Sequence, residues 1–161
     1  MSRALPFLAL AAVAGSLVAC TQGGADSARE AAVTVQVADA LCRPTPNGRH
    51  STGCYLILTA PADDRLTAVS SPVAGRVEIH ESRVESNMMM MRELKEGLPL
   101  PAGEAVELKP GGNHIMLMAV TEPLKAGDSV ALTLNFASAP PLEVTAAVGQ
   151  PALTDSGHAA H

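Results

Sequence analysis

Apolar and polar residues alternate in short runs along most of the chain. Alternation with a period of two places the apolar side chains on one face of an extended strand, so each run predicts a half-buried β-strand. No run has the apolar spacing of an amphipathic helix over a useful length. The predicted strands are the run around Val33 to Val37, then Tyr55–Thr59, Leu66–Val69, Val77–Arg83, Met88–Glu93, Ala105–Leu108, His114–Val120, Val130–Phe136 and Leu142–Val148.

Glycine and proline separate these runs, for example at Asn47-Gly48, Pro110-Gly111-Gly112 and Pro140-Pro141. These residues favour tight turns. Strands of this length joined by such turns predict an all-β domain, an antiparallel sandwich or barrel. Because only Tyr55 and Phe136 are aromatic beyond the first residues, the core must consist of Val, Leu, Ile and Ala.

The N-terminus has the features of an export signal. Arg3 precedes an apolar stretch, Ala4 to Ser16, that is too short to anchor in a bilayer. Leu17-Val18-Ala19-Cys20 then matches a bacterial lipobox, which predicts cleavage before Cys20 and lipid on its sulfur. The alternative is an ordinary secretory peptide with a chance cysteine.

The expected organisation is a signal peptide (1–19), a flexible tether (20–31), one domain (32–148) and a mobile tail (149–161). The expected location is the periplasm, with the lipid anchor as the chain's only contact with a bacterial membrane. A formal net charge of −5 without a basic patch argues against nucleic acid as a partner.

Cys42 and Cys54 form an even pair in a chain predicted to be exported. In an oxidising compartment a disulfide is the natural interpretation. A redox or thiolate metal pair is the alternative, although the spacing differs from the two-residue gap typical of those motifs.

Methionine is concentrated in one part of the chain. Except for the initiator, all methionines lie between Met88 and Met118, and two histidines, His80 and His114, accompany them. Thioether sulfur and neutral imidazole together suit Cu(I). Core packing by methionine in a structural sandwich is the alternative.

Strand geometry predicts which side chains of this cluster lie on the same face. If the strand Val77–Arg83 turns through residues 84–87 into Met88–Glu93, a four-residue hairpin loop places His80 directly opposite Met91. In the later strand, His114 and Met116 are two residues apart and share a face. These four side chains form one metal site if the two segments are neighbours.

An enzyme is the competing class of function. The only Ser, His and Asp cluster (Asp155, Ser156, His158) lies in the tail, where nothing could hold a catalytic triad rigid. The chain also has no phosphate-binding loop and no zinc-hydrolase signature. The sequence therefore favours a binding protein over an enzyme.

The same stretches resemble a known family, the periplasmic copper chaperones called PCuA(C). The resemblance covers about Val33 to Val148. The residues that carry it are Ser71 to His80, Met89-Met90-Met91-Arg92, Pro101-Ala102-Gly103, Leu108 to Met118, Pro123 to Asp128 and Leu132-Thr133-Leu134.

The resemblance implies a cupredoxin-like Greek-key fold that binds one Cu(I) per chain. Its implied ligands are His80, Met91, His114 and Met116. The implied function is to carry copper to a receiving protein, such as a cytochrome c oxidase subunit or another copper chaperone. Copper buffering or resistance is the alternative.

Further residues have alternative expected roles. Met89 and Met118 either support the metal site or simply pack. His158 and His161 in the tail correspond to metal-recruiting tails of some relatives and could bind Cu(II) weakly, although solvated tail residues are the simpler interpretation. The tryptophan that the family often has near Leu41 is missing, and the two cysteines suggest a disulfide-bearing branch.

Overall fold

The computed structural model describes residues 34–151, which contain ten strands and no helix. The predicted all-β class is therefore confirmed. The predicted signal peptide, the lipidated Cys20, the tether and the tail histidines lie outside the described residues. The strands are β1 (Gln36–Cys42), β2 (Ser51–Thr59), β3 (Asp64–Ser70), β4 (Ala74–Glu85), β5 (Met88–Glu93), β6 (Leu98–Leu100), β7 (Ala105–Leu108), β8 (Asn113–Val120), β9 (Ser129–Phe136) and β10 (Leu142–Val148).

The strands form one hydrogen-bonded series in the order β5-β4-β8-β2-β1-β10-β9-β3-β6, with β7 paired to β2. The pairing of β1 with β10 is parallel, and the other strand pairs are antiparallel. Strand β2 serves two neighbours on one edge: Ser51 to Cys54 pair with β8, and Leu56 to Thr59 pair with β7. Among residues 34–151, no helix is long and apolar enough to cross a membrane.

The core is built from the inward-facing positions of these strands. In β2 every second residue is buried, from Thr52 through Cys54 and Leu56 to Leu58. The buried hydrophobic core contains valine, leucine, isoleucine, alanine and the two cysteines, and Phe136 packs against it from a partly buried position. This agrees with the expected core of small aliphatic side chains.

The two remaining cysteines are joined. Cys42 in β1 lies directly opposite Cys54 in β2, and a disulfide connects them across a Cα–Cα distance of 4.0 Å. Both cysteines are fully buried. The predicted disulfide is therefore confirmed. The bond fixes the part of β2 that pairs with β8.

Replacing both cysteines by alanine should lower the free energy of unfolding by about 2–3 kcal/mol, because the disulfide closes a short loop in the unfolded chain. Urea denaturation of the purified domain measures this loss. Reduction of the wild-type protein should produce a similar loss, whereas the reductant should leave the double variant unchanged. Equal stability of the variant and the oxidised wild type would contradict this role.

Candidate metal centre

Strand β4 lies between β5 and β8, and its alternate residues point to opposite faces. Ile79 pairs with Ile115 of β8, and both are buried in the core. Because side chains alternate along a strand, His80 and the residues two positions before and after it point to the outer face of this three-stranded unit. Burial of the isoleucines therefore decides where the histidine lies.

The two histidines are direct neighbours across the β4–β8 pair. His80 is in register with His114. Their ring centroids are 5.8 Å apart, and the ring planes meet at 73° in an edge-to-face arrangement. The condition on which the predicted site depends, that the two segments are neighbours, is therefore met by direct strand pairing.

The predicted register of the β4–β5 hairpin is wrong. Met91 lies opposite Ser82, and His80 lies opposite Glu93. Ser86 and Asn87 have positive φ values of 49° and 66°, so the connection is a two-residue turn instead of a four-residue loop.

The observed register differs from the predicted one by two residues, and an even difference leaves each side chain on its predicted face of the hairpin. His80 and Met91 still point to the same side, now as diagonal neighbours with Cα atoms about 7–8 Å apart, within reach of long side chains. Met89 is on the same side, opposite Val84, whereas Met90 is on the other side, opposite Arg83.

Strand β8 adds the remaining thioether. Met116 lies opposite Glu78, one step diagonally from His80 and two residues along the strand from His114. Met118 lies opposite Arg76, whose Nη2 is 3.5 Å from its sulfur. The structure thus brings His80, Met91, His114 and Met116 onto one face, and places Met118 one further step away.

An open depression of about 370 Å³ lies over this face. Met89, Met91, His114 and Met116 are in its wall, whereas His80 and Met118 are not. The remaining wall is formed by Arg43, Pro44, Pro46, Ser51, Thr52, Gly53, Tyr55, Ser82, Pro110 and Gly111. Three thioethers, those of Met89, Met91 and Met116, and the His114 imidazole therefore line a single opening.

Hydrogen bonds hold both rings. His114 Nδ1 is 2.9 Å from the carbonyl oxygen of Gly112. His80 Nε2 is 2.7 Å from Oε2 of Glu78. The sequence analysis did not predict the contact between Glu78 and His80. The signal was present, since an acid two residues before a histidine in a strand lies on the same face. The wall segment at residues 43–46 was also missed, and no local pattern marks it.

The donor set restricts the chemistry. Within the described part of the chain, no three His, Cys, Asp or Glu side chains are grouped so that they could hold a metal ion. The thioethers of Met91 and Met116 are soft side-chain donors that share a face with the two imidazoles. Neutral nitrogen and sulfur donors suit a soft, low-charge ion, of which Cu(I) is the biological example.

Comparison with known proteins points to one family and one fold. The family model described as "Putative lipoprotein LpqE-like" matches residues 35–148. The "Putative lipoprotein Lxx21020" of Leifsonia xyli subsp. xyli is 30% identical over 138 residues, which covers 84% of this chain and 83% of that protein.

Solved structures of similar fold include the solution structure of apo-DR1885 from Deinococcus radiodurans. It has a TM-score of 0.57 and 27% identity, and the match covers 94% of this chain and 98% of that one. The apo PCuAC domain from PmoF1 has a TM-score of 0.61 and 23% identity over 73% of this chain and 94% of that one. The copper-bound PCuAC domain from PmoF2 has a TM-score of 0.59 and 24% identity over 73% and 93%. The expected PCuAC-like fold is confirmed.

The position of His114 affects its protonation. Burial lowers the pKa of His114 below its ordinary value of 6.5; the hydrogen bond to Gly112 opposes this effect, and the charge on His80 adds to it. The folded chain therefore keeps this imidazole neutral at a pH where the unfolded chain protonates it. Neutral imidazole is the form that binds metals.

The metal-free protein should lose stability as the pH falls below 6.5. A lowered folded-state pKa means that the unfolded chain binds more protons, so the contribution is complete above that pH and is lost below it. The slope from one such group is at most ~1.4 kcal/mol per pH unit. Unfolding free energies measured between pH 5 and 7 should show a smaller slope for His114→Asn.

The exposed His50 provides the control for this measurement. His50→Asn leaves the buried imidazole in place and should retain the wild-type slope. If His114→Asn and the wild type had the same dependence on pH, burial of this ring would not contribute to acid sensitivity.

Proposed function

The chain belongs to the LpqE-like family, and we propose that it is an extracytoplasmic, lipid-anchored protein that binds and carries one Cu(I) ion. The observation that carries this proposal is the common face of His80, Met91, His114 and Met116, created by the pairing of β4 with both β5 and β8. These four residues are the proposed ligands.

The chemistry of the donors supports a carrier. Two neutral imidazoles and two thioethers leave the bound ion with its single positive charge, so affinity should be lower than in a thiolate cage. Thioethers also avoid the disulfide formation that would consume free thiols in an oxidising compartment. Moderate affinity and an open site favour transfer of the ion over chemistry on it.

One protein of similar fold supports the same ion: the solution structure of CuI-DR1885, which is 25% identical with a TM-score of 0.54. The chain covers 85% of CuI-DR1885, so the likeness extends over most of that protein.

The accessibility of the ligands suggests the direction of transfer. Met91 is 54% exposed, whereas His114 is 5% exposed. A receiving protein can therefore approach the thioether side first, while the imidazoles still hold the ion. We propose that the recipient is a copper site of cytochrome c oxidase or another copper chaperone; transfer of Cu(I) to a purified oxidase copper-site domain tests the first of these.

The anchor and the tail complete the proposal. Lipidation of Cys20 and a tether over residues 20–31 would keep the domain close to a membrane in the periplasm. His158 and His161 would add weak Cu(II) binding in the tail. Mass spectrometry of the mature protein tests the lipid, and titration of a chain ending at residue 151 tests the tail.

Changing Met91 and Met116 together to leucine should weaken Cu(I) binding more than ~100-fold while the fold is preserved. This loss should exceed the loss caused by removing a residue that only supports a ligand, because the variant removes two ligands. Leucine replaces the volume of methionine but not its sulfur. Competition titration against a chromophoric Cu(I) chelator measures the affinity, and circular dichroism checks the fold.

The matched control is Met88→Leu with Met90→Leu. These two methionines lie on the same strand as Met91, but they face away from the histidines. The control should retain wild-type affinity. An unchanged affinity in the Met91 and Met116 variant would overturn the ligand assignment, and an equal loss in both variants would show that position on the face is irrelevant.

A further inference from the structure

The hydrogen-bond partner of each histidine determines which ring nitrogen can bind a metal. The carbonyl of Gly112 can only accept a hydrogen bond, so Nδ1 of His114 carries the proton and Nε2 keeps its lone pair. On His80 the arrangement is reversed. The Glu78 carboxylate accepts from Nε2, so the lone pair of a neutral His80 ring is on Nδ1.

The free nitrogen of His80 is a site in its own right. Nδ1 is buried and has no hydrogen-bond partner among residues 34–151. A buried polar atom that lacks a partner costs free energy, and such atoms usually have a specific explanation. A lone pair left unpaired beside a second imidazole is suited to a metal ion.

Glu78 is itself held in place. Its Oε1 is 3.0 Å from Nε of Arg76, while its Oε2 binds His80. The side chains of Glu78 and His80 are each 14% exposed, whereas that of Arg76 is 67% exposed. The carboxylate is therefore fixed between an outer guanidinium and an inner imidazole, and both of its oxygens are used.

We propose that Glu78 is a positioning residue that fixes the tautomer of His80, so that His80 binds the metal through Nδ1 and His114 binds it through Nε2. This inference rests on the proposed function and adds the atoms that perform it. A carboxylate that accepts from the far nitrogen also makes the ligating nitrogen more basic, which strengthens the metal bond.

Long-range ¹⁵N–¹H NMR of the metal-free protein tests the tautomers without any metal. The expected result is a proton on Nε2 of His80 and on Nδ1 of His114. Glu78→Leu should remove the tautomer preference of His80, leave that of His114 unchanged, and weaken Cu(I) binding by about 10–100-fold. Glu78→Gln keeps an acceptor oxygen and should restore the tautomer and part of the affinity.

The control is Glu81→Leu, because Glu81 is on the same strand but faces away from the histidines and pairs with Arg92. It should alter neither the tautomers nor the affinity. A proton on Nδ1 of His80 in the wild type would overturn the proposal, and so would an unchanged affinity in Glu78→Leu. If the Met91 and Met116 double variant also binds normally, the proposed function itself fails.

A separate observation concerns the surface of β5. Its four consecutive methionines are open to solvent, with exposures of 62% for Met88, 61% for Met89, 46% for Met90 and 54% for Met91. Met116 and Met118 on β8 are only partly exposed. Accessible thioethers are the ones that oxidants reach first, and methionine sulfoxide is enzymatically reversible.

We also propose that β5 is a sulfoxidation site through which hydroperoxides lower the metal affinity of the protein, again on the basis of the proposed function. The peroxide transfers one oxygen to sulfur, its O–O bond breaks, and the peroxide is reduced to water or an alcohol while the thioether becomes a sulfoxide. Sulfoxidation of Met91 removes a soft donor lone pair from the site.

Peptide mapping of the metal-free protein after hydrogen peroxide treatment tests this order. Residues 88–91 should be oxidised several-fold faster than Met116 and Met118. Cu(I) affinity should fall as Met91 is oxidised, and methionine sulfoxide reductases should restore it. The Met88→Leu, Met90→Leu variant should lose affinity in the same way.

Equal oxidation rates across the six methionines would overturn the proposed site. If residues 88–91 oxidise first but Cu(I) affinity does not change, the proposed effect of sulfoxidation on affinity is overturned. The Cu(I) affinity of the unoxidised Met91 and Met116 double variant would then show whether the ligand assignment fails as well.

Discussion

The metal centre depends on one constraint, the register in which β4 pairs with β8. Burial of Ile79 against Ile115 excludes a slip of one residue, which would expose Ile79 and bury the polar side chains of β4. The same ladder sets His80 opposite His114. The hydrophobic core therefore positions the imidazoles without any interaction specific to the metal.

The site combines a firmly held floor, formed by the histidines on β4 and β8, with an open edge, formed by Met91 on β5. Strand β8 is held between β4 and β2, and the buried disulfide fixes β2 to β1. Strand β5 is at the end of the series, and every one of its residues is exposed. The histidines are thus placed by packing, whereas Met91 is placed by a two-stranded hairpin alone. A carrier benefits from this division, because a ligand at an edge can be exchanged before those in the floor release the ion.

The fold could be predicted because its signals are local. Period-two alternation and turn residues identified most of the strands within a few positions. Strand β6, Leu98–Leu100, was missed because it is short and contains Pro99. The hairpin register was predicted wrongly because the sequence does not show that Ser86 and Asn87 both take positive φ. The face of Met91 was nevertheless right, since an even displacement preserves it.

The pairing of β4 with β8 could not be predicted in the same way. It joins segments distant in sequence, and no local pattern specifies which strands become neighbours. Sequence reasoning could state only that one site would form if the segments met. The wall at Arg43 to Pro46 has the same origin, since it reaches the site through the pairing of β1, β2 and β8.

Glu78 illustrates a second limit of prediction from sequence, which concerns the environment of a side chain. Its place on the face of His80 follows from the alternation, but an acid on a strand face is usually solvated, and the sequence does not distinguish that state from a fixed one. The distinction comes from Arg76, which occupies the other oxygen of the carboxylate. With Cu(I) bound as proposed, neutral donors would leave one positive charge beside this carboxylate. Since the guanidinium lies mostly in solvent, where screening weakens its interaction, the carboxylate would still stabilise the inner charge. A single acid can thus set the tautomer of the ligand and offset the charge of the ion.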